Sequence, residues 1–419
     1  MVDNQINPAD SPSVPHDAGR SNEGSKGHNG LLPDQLQRPS EISNQDVDMV
    51  DSSQGATLDL TPNSTSACQQ TVLDSTPSAL KASAEPVSKE PQYHEQPYPP
   101  FARGNTIGDS VSVEERGRIW QNYKPDKYFL PNDAIEQDRL DFAHKSYSMI
   151  LNLMKGADAY ADPDDALSLA PITGDPPRVL DIGTGTGIWA IEYARRHPLS
   201  KVIGSDLSLI QPDVSAEVPN VSFVREDVED EWIHDTSFDF IHLRLMFTCF
   251  INHKDVIQKA FDNLNPGGWI EYQDCSFNID SDDNTHRGTA LHQWGHLAIA
   301  GAAAKGRDIE AARKYKRYME EIGFVDVVER PFKLFGNSWP RTQPEKTIGR
   351  FTEVSGKEVI RSVSAKLLGE GLGISENKLQ EIVAQSQKDA VNRKIHFYWP
   401  GYVVYGRKPV DNRSVPQSE

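Results

Sequence analysis

The chain has 419 residues, enough for two or three domains, and contains no hydrophobic run that demands a membrane span. Its formal net charge of -18 and pI near 5.1 argue against direct nucleic-acid binding, because backbone phosphates would be repelled. The three cysteines, Cys68, Cys249 and Cys275, lack metal-ligand spacing, and no charged and then apolar leader opens the chain. We therefore expect a protein of a reducing compartment without a metal site.

Composition divides the chain. Residues 1–92 contain no Phe, Tyr or Trp and are rich in Ser, Pro and acidic residues, so they cannot bury enough apolar surface to offset the entropy of ordering. Aromatic residues begin at Tyr93. We predict four segments: a disordered acidic tail over 1–92, an N-terminal helical segment and linker over 93–177, a ligand-binding domain over 178–409 with a helical insertion at about 340–395, and a flexible tail over 410–419.

The first strong helix signal is the sequence Asp133-Ala-Ile-Glu136, which matches a capping box. Apolar residues recur after it at helical spacing, which predicts an amphipathic helix over about 134–155. The Asp- and Pro-rich stretch over 156–177 indicates a loop.

From Arg178 onward short apolar strands alternate with helical patterns, which is typical of an α/β fold with a doubly wound parallel sheet. The helical patterns near 344–368 and 375–394 form an insertion that either closes over an acceptor pocket or simply packs as core. The predicted strands are 178–182, 201–205, 221–225, 238–243, 269–273, 324–332 and 402–407, and the other predicted helices are 187–197, 252–264, 285–304 and 308–322.

A glycine-rich loop, Asp181-Ile-Gly-Thr-Gly-Thr-Gly187, follows the first of these strands. Glycines let the backbone turn sharply and approach a ligand closely. A dinucleotide site favours G-x-G-x-x-G, but Ile188 holds the last place, and Asp181 would oppose a pyrophosphate. Asp181 suits the ammonium and sulfonium groups of S-adenosylmethionine, so we predict that this ligand is bound by Asp181, Gly183, Thr184, Gly185 and Gly187.

Acids at two further strand ends support the same site. Asp206 ends the second strand of this fold, where a carboxylate can accept both hydroxyls of a ribose. Asp227, followed by Val228, ends the third strand, where it can accept a hydrogen bond from an adenine amine. The alternative for both acids is a solvated loop residue or a helix cap.

Three segments together resemble a known family. Asp181-Ile-Gly-Thr-Gly-Thr-Gly-Ile-Trp189, Leu130-Pro-Asn-Asp-Ala-Ile-Glu-Gln-Asp-Arg-Leu140 and Tyr398-Trp-Pro-Gly-Tyr-Val-Val-Tyr-Gly-Arg-Lys-Pro409 look like those of fungal LaeA-like methyltransferases over about 115–409. The resemblance implies a class I methyltransferase (Rossmann-like) fold and S-adenosylmethionine binding by Gly183, Gly185, Asp206 and Asp227. It also implies a role near secondary metabolism or development, in the nucleus or cytoplasm, with velvet-type regulatory proteins as partners.

The methyl acceptor leaves no signature in the sequence. His144, His242 and Tyr128 are candidate general bases, although lone histidines are more often packed than catalytic. Arg139 and Arg244 are candidates for binding the carboxylate of the cofactor, with an ordinary surface ion pair as the alternative, and Glu136 is explained by the capping box. Three functions stay open: a regulatory methyltransferase, a biosynthetic enzyme that methylates a small metabolite, and a non-catalytic partner-binding protein.

Overall fold

The computed structural model describes residues 111–159 and 167–410. The predicted disordered tail over 1–92 and the last residues of the predicted C-terminal tail, 411–419, lie outside this part of the chain. Within the described ranges, no helix has the length and apolar character needed to cross a membrane. The same residues contain no group of three or more His, Cys, Asp or Glu side chains arranged to hold a metal ion.

The described chain opens with a two-stranded antiparallel sheet of β1 (Ser112–Glu115) and β2 (Arg118–Gln121), which the sequence analysis missed. Its turn is Arg116-Gly117, where both residues have positive φ, as a tight hairpin turn requires. Arg118 then donates two hydrogen bonds, of 2.6 and 2.9 Å, to the carboxylate of Asp133. This pair joins the hairpin to the start of the first helix, α1 (Ala134–Met154).

Among the described residues, the central sheet has seven strands in the order β5-β4-β3-β6-β7-β9-β8. Strands β3 to β7 run parallel, whereas β9 is inserted between β7 and β8 and is antiparallel to both. The α/β fold class is confirmed, with a mixed rather than fully parallel sheet. The strands are β3 (Arg178–Ile182), β4 (Lys201–Asp206), β5 (Val221–Arg225), β6 (Phe238–Arg244), β7 (Leu264–Cys275), β8 (Val325–Phe335) and β9 (Tyr398–Arg407).

The helices follow the predicted order, but the predicted helix over 308–322 is a short 3-10 helix, Ala311–Lys314, followed by an α-helix, Tyr315–Ile322. The segment Ala365–Gly371, which continues α6, is a π-helix. The last strand begins four residues earlier than predicted, at Tyr398. The further helices are α2 (Ile188–Arg196), α3 (His253–Asn263), α4 (Ala290–Ala304), α5 (Tyr315–Ile322), α6 (Gln343–Ser364) and α7 (Glu376–Ala390).

The insertion between β8 and β9 has its own apolar core. Helices α6 and α7 bury side chains against α1 and α4, with Trp294 and Phe397 fully enclosed. The indole Nε1–H of Trp339 donates to the carbonyl of Phe397 at 2.9 Å. Trp294, Phe397 and Trp339 therefore pack as core. Trp399 lines a second pocket, between α1 and α6.

Candidate cofactor site

The site lies where the strand order reverses. Strand β3 pairs with β4 on one side and with β6 on the other, and ligands of open α/β sheets collect at the carboxyl ends of such strands. A pocket opens at this place. The carboxyl ends of β3, β4, β5 and β6 with the loops after them, the segment before α1 and the first turns of α1 line it. They contribute Gly183, Gly185, Asp206, Asp227, Val228, Arg244, Tyr128 and Leu140.

The glycine loop is held in a conformation that other residues rarely adopt. Gly183, Gly185 and Gly187 have φ of +66, +56 and +79°. The N–H groups of Gly183 and Thr184 donate to the carbonyl of Ser205 at 2.8 and 3.0 Å, which ties the loop to β4. A Cβ on Gly183 would lie 2.5 Å from Cε of Met246, and one on Gly185 would lie 3.1 Å from Cδ1 of Leu140. The positive φ therefore favours glycine at all three positions, and the side chains of Met246 and Leu140 would have to shift to admit a Cβ at Gly183 or Gly185.

Asp181 is buried beneath this loop and is engaged by two neighbours. Its Oδ2 accepts a hydrogen bond from the hydroxyl of Thr184 at 2.6 Å, and its Oδ1 accepts one from Nδ1–H of His242 at 2.7 Å. The ring of His242 stacks on Trp189 with centroids 3.7 Å apart. His242 therefore positions Asp181, while a role of His242 as a general base and the contact of Asp181 with an ammonium group both stay predictions.

Asp206 connects the end of β4 to the glycine loop. Its Oδ2 accepts from the N–H of Gly185 and its Oδ1 accepts from the N–H of Ser208, each at 2.9 Å. Burial raises the pKa of Asp206 to about 6, and the hydrogen bonds oppose this rise. The group is therefore mainly a carboxylate at neutral pH, and each oxygen retains a lone pair for a ribose hydroxyl.

Asp227 and Val228 form the neighbouring wall after β5. Oδ1 of Asp227 accepts from the N–H of Glu229 at 3.0 Å, and Oδ2 lies 3.0 Å from Nζ of Lys127. Val228 is buried and apolar, as a contact with the face of a nucleobase requires. Lys127 is a pocket residue that the sequence analysis missed, because nothing in its local sequence distinguishes it from a surface lysine.

Arg244 brings a guanidinium group to the pocket from the end of β6. Its Nη2 donates to Nδ1 of His144 at 2.7 Å, which leaves Nε2–H of His144 to donate to Oε2 of Glu192 at 3.1 Å. Burial and the charge of Arg244 lower the pKa of His144, so this ring is neutral. His144 therefore positions Arg244. The Nη1 group of Arg244 is buried and has no hydrogen-bond partner in the described chain, which suits a ligand carboxylate.

Two expectations about α1 were wrong. Asp133 caps the helix by accepting from the N–H of Glu136, but the Glu136 carboxylate does not complete a capping box. It accepts instead from Nε of Arg139 at 2.8 Å in an ion pair that is buried, not exposed. Arg139 lines the second pocket, the one that contains Trp399, and is not part of the lining of the cofactor pocket. Tyr128 does line the cofactor pocket, but burial raises the pKa of its hydroxyl well above the usual value, so it keeps its proton.

Comparisons with known proteins agree with this geometry. A family model described as a methyltransferase domain matches residues 157–329. Methyltransferase pytC of Aspergillus terreus is 33% identical over 73% of this chain and 91% of its own length. The secondary metabolism regulator laeA of Monascus pilosus is 32% identical over 71% of this chain and 78% of its own. The probable methyltransferase tdiE of Emericella nidulans is 29% identical over 66% of this chain and 82% of its own.

The sheet order, the glycine loop and the acids at the strand ends define a class I methyltransferase. The chain belongs to the LaeA-like family of these enzymes. S-adenosylmethionine is its cofactor, and the pocket fits this molecule. The three glycines leave room for it beside the backbone, and the Asp206 carboxylate can accept from a ribose. The Nη1 of Arg244, which has no hydrogen-bond partner among the described residues, can bind a carboxylate.

Proposed function

We propose that this methyltransferase regulates secondary metabolism through methyl transfer. Its laeA relatives are named secondary metabolism regulators. The observation that carries the proposal is the complete cofactor pocket, in which the glycine loop, Asp206 and Arg244 are arranged for a charged nucleoside. The Nη1 group of Arg244, which is buried without a hydrogen-bond partner among the described residues, adds a donor for the carboxylate of such a ligand.

Each part of the pocket has a proposed task. Asp206 holds the ribose, Asp227 and Val228 bind the adenine, and Arg244, positioned by His144, binds the carboxylate. Bound S-adenosylmethionine supplies an electrophilic methyl group on a sulfonium whose departure needs no proton. The protein therefore acts mainly by holding acceptor and methyl group in line and at close range.

A biosynthetic methyltransferase is the second candidate. Methyltransferase pytC and the probable methyltransferase tdiE match the chain about as well as the laeA proteins do. A largely apolar pocket beside the cofactor pocket also favours a small acceptor. Velvet-type partners and a nuclear or cytoplasmic location belong to the regulatory proposal, and the family resemblance alone supports them.

Metabolite profiles distinguish these functions. We expect Gly185→Glu, expressed in a strain that lacks the gene, to behave as a null allele, because the new side chain occupies the cofactor loop. Many unrelated metabolites should fall together in this strain if the protein is a regulator. Loss of one methylated product with build-up of its precursor would instead identify a pathway enzyme.

The matched control is Gly288→Glu. Gly288 also has positive φ, +76°, but a Cβ there meets open space. The metabolite profile of the Gly288→Glu strain should equal that of wild type. A wild-type profile for Gly185→Glu at normal abundance would contradict both enzymatic functions.

A further inference from the structure

A second pocket lies beside the cofactor pocket, between α1, α6 and the ends of the sheet. Its apolar wall consists of Tyr147, Leu245, Phe247, Phe277, Val359 and Trp399, and we call it the apolar pocket. The rings of Phe247 and Phe277 are 4.7 Å apart, so one side of the pocket is a continuous aromatic surface. A pocket with such walls binds a molecule with an apolar body.

Leu245 joins the two pockets, because it lines both of them. It has φ of +59°, in the left-handed region, which costs a residue other than glycine about 1–2 kcal/mol. The N–H of Leu245 donates to the carbonyl of Gln273 at 3.0 Å, which holds the backbone in place. Strain of this kind concentrates at functional sites, where the surrounding structure maintains it.

The preceding residue makes a second connection. The guanidinium carbon of Arg244, in the cofactor pocket, lies 5.8 Å from the centre of the Tyr147 ring, in the apolar pocket. The two pockets therefore adjoin along two successive residues, the last residue of β6 and the one that follows it.

The polar groups of the apolar pocket favour a neutral ligand. The hydroxyl-bearing residues Ser146, Thr352 and Ser355 lie along its helical side. The charged lining residue Arg139 is already paired with Glu136, so the pair has no net charge to offer. An anionic or cationic acceptor would lose its hydration there without a counter-ion.

We infer that the apolar pocket is the methyl-acceptor site and that it takes a neutral small molecule with an aromatic-sized apolar body and a nucleophilic hydroxyl. This inference rests on the methyl transfer proposed above, and it holds for a regulator as for a pathway enzyme. The acceptor oxygen forms the new bond to the methyl carbon while the carbon–sulfur bond breaks with its electrons left on sulfur. The hydroxyl proton passes to solvent.

Binding of 2-naphthol, a neutral fluorescent phenol, tests the inference without relying on turnover. We expect wild-type protein saturated with S-adenosylhomocysteine to bind 2-naphthol, and Ser355→Phe to weaken this binding by about tenfold or more, because a ring would fill the pocket. The control is Val354→Phe on the same helix, whose side chain is 42% exposed and lies outside the pocket. It should bind like wild type.

An additional variant covers the case in which Ser355→Phe does not fold. Val359→Ala enlarges the pocket, so it should bind the three-ring phenol 9-phenanthrol severalfold more tightly relative to 2-naphthol than wild type does. A misfolded protein cannot produce this gain in selectivity.

S-adenosylhomocysteine affinity is measured in parallel and should be the same in all four proteins. No binding of 2-naphthol to wild type, equal binding to wild type and folded Ser355→Phe, or unchanged selectivity in Val359→Ala would overturn the inference. Failure of wild type to bind S-adenosylhomocysteine would instead overturn the proposed function.

Discussion

Gly185→Glu should reduce the affinity for S-adenosylhomocysteine by about 100-fold or more, which corresponds to about 2.7 kcal/mol. Two effects act together. The residue has φ of +56°, and a Cβ there already comes within 3.1 Å of Leu140, so the longer side chain must enter the pocket or displace the loop. The N–H of Gly185 also donates to Asp206, so the new carboxylate lies close to an existing negative charge.

Titration calorimetry measures this loss, with Gly288→Glu as the matched variant. Both substitutions force a side chain into the left-handed region and should cost similar stability, about 1–2 kcal/mol. Only Gly185→Glu should lose binding. Equal affinities in the two variants would remove the glycine loop from the site.

Arg244→Met should weaken the binding of S-adenosylhomocysteine by about 1.5–3 kcal/mol, the range for a hydrogen bond to a charged group. It should leave the affinity for 5′-methylthioadenosine unchanged, because that molecule keeps the nucleoside and lacks the amino-acid carboxylate. The reason is the Nη1 group of Arg244, which is buried in the pocket wall and has no hydrogen-bond partner in residues 111–159 and 167–410. Equal losses for the two ligands would show that Arg244 acts only through folding.

Asp206→Ala is the matched variant, because the ribose is common to both ligands. Asp206→Ala should weaken the binding of both ligands by about 1.5–3 kcal/mol. Since burial raises the pKa of Asp206 to about 6, protonation removes an acceptor as the pH falls through this value. Wild-type affinity should therefore decrease between about pH 7.5 and about pH 5, and Asp206→Ala should lack this dependence.

The core strands and the glycine loop were predictable because their signals are local. Strands β3 and β5 begin and end at the predicted residues, since short apolar runs separated by turn residues determine both ends. The glycines and Asp206 follow from the rule that ligands bind at the carboxyl ends of strands.

Features that depend on burial or on contacts between distant segments were not predictable. Glu136 has a capping-box position, but Arg139 one turn later takes its carboxylate once both are buried. The series Arg244, His144 and Glu192 joins three separate elements, and no spacing in the sequence indicates it. The apolar pocket likewise depends on how α6 packs on α1.

The pocket at the ends of β3, β4 and β5 should bind S-adenosylmethionine, and calorimetric titration of the wild-type chain of 419 residues tests this most directly. S-adenosylmethionine and S-adenosylhomocysteine should each bind at one site per chain, and NAD should give no heat, because Ile188 replaces the glycine of a dinucleotide loop and Asp181 opposes a pyrophosphate. Clear binding of NAD with no detectable binding of either sulfur nucleoside would contradict the account.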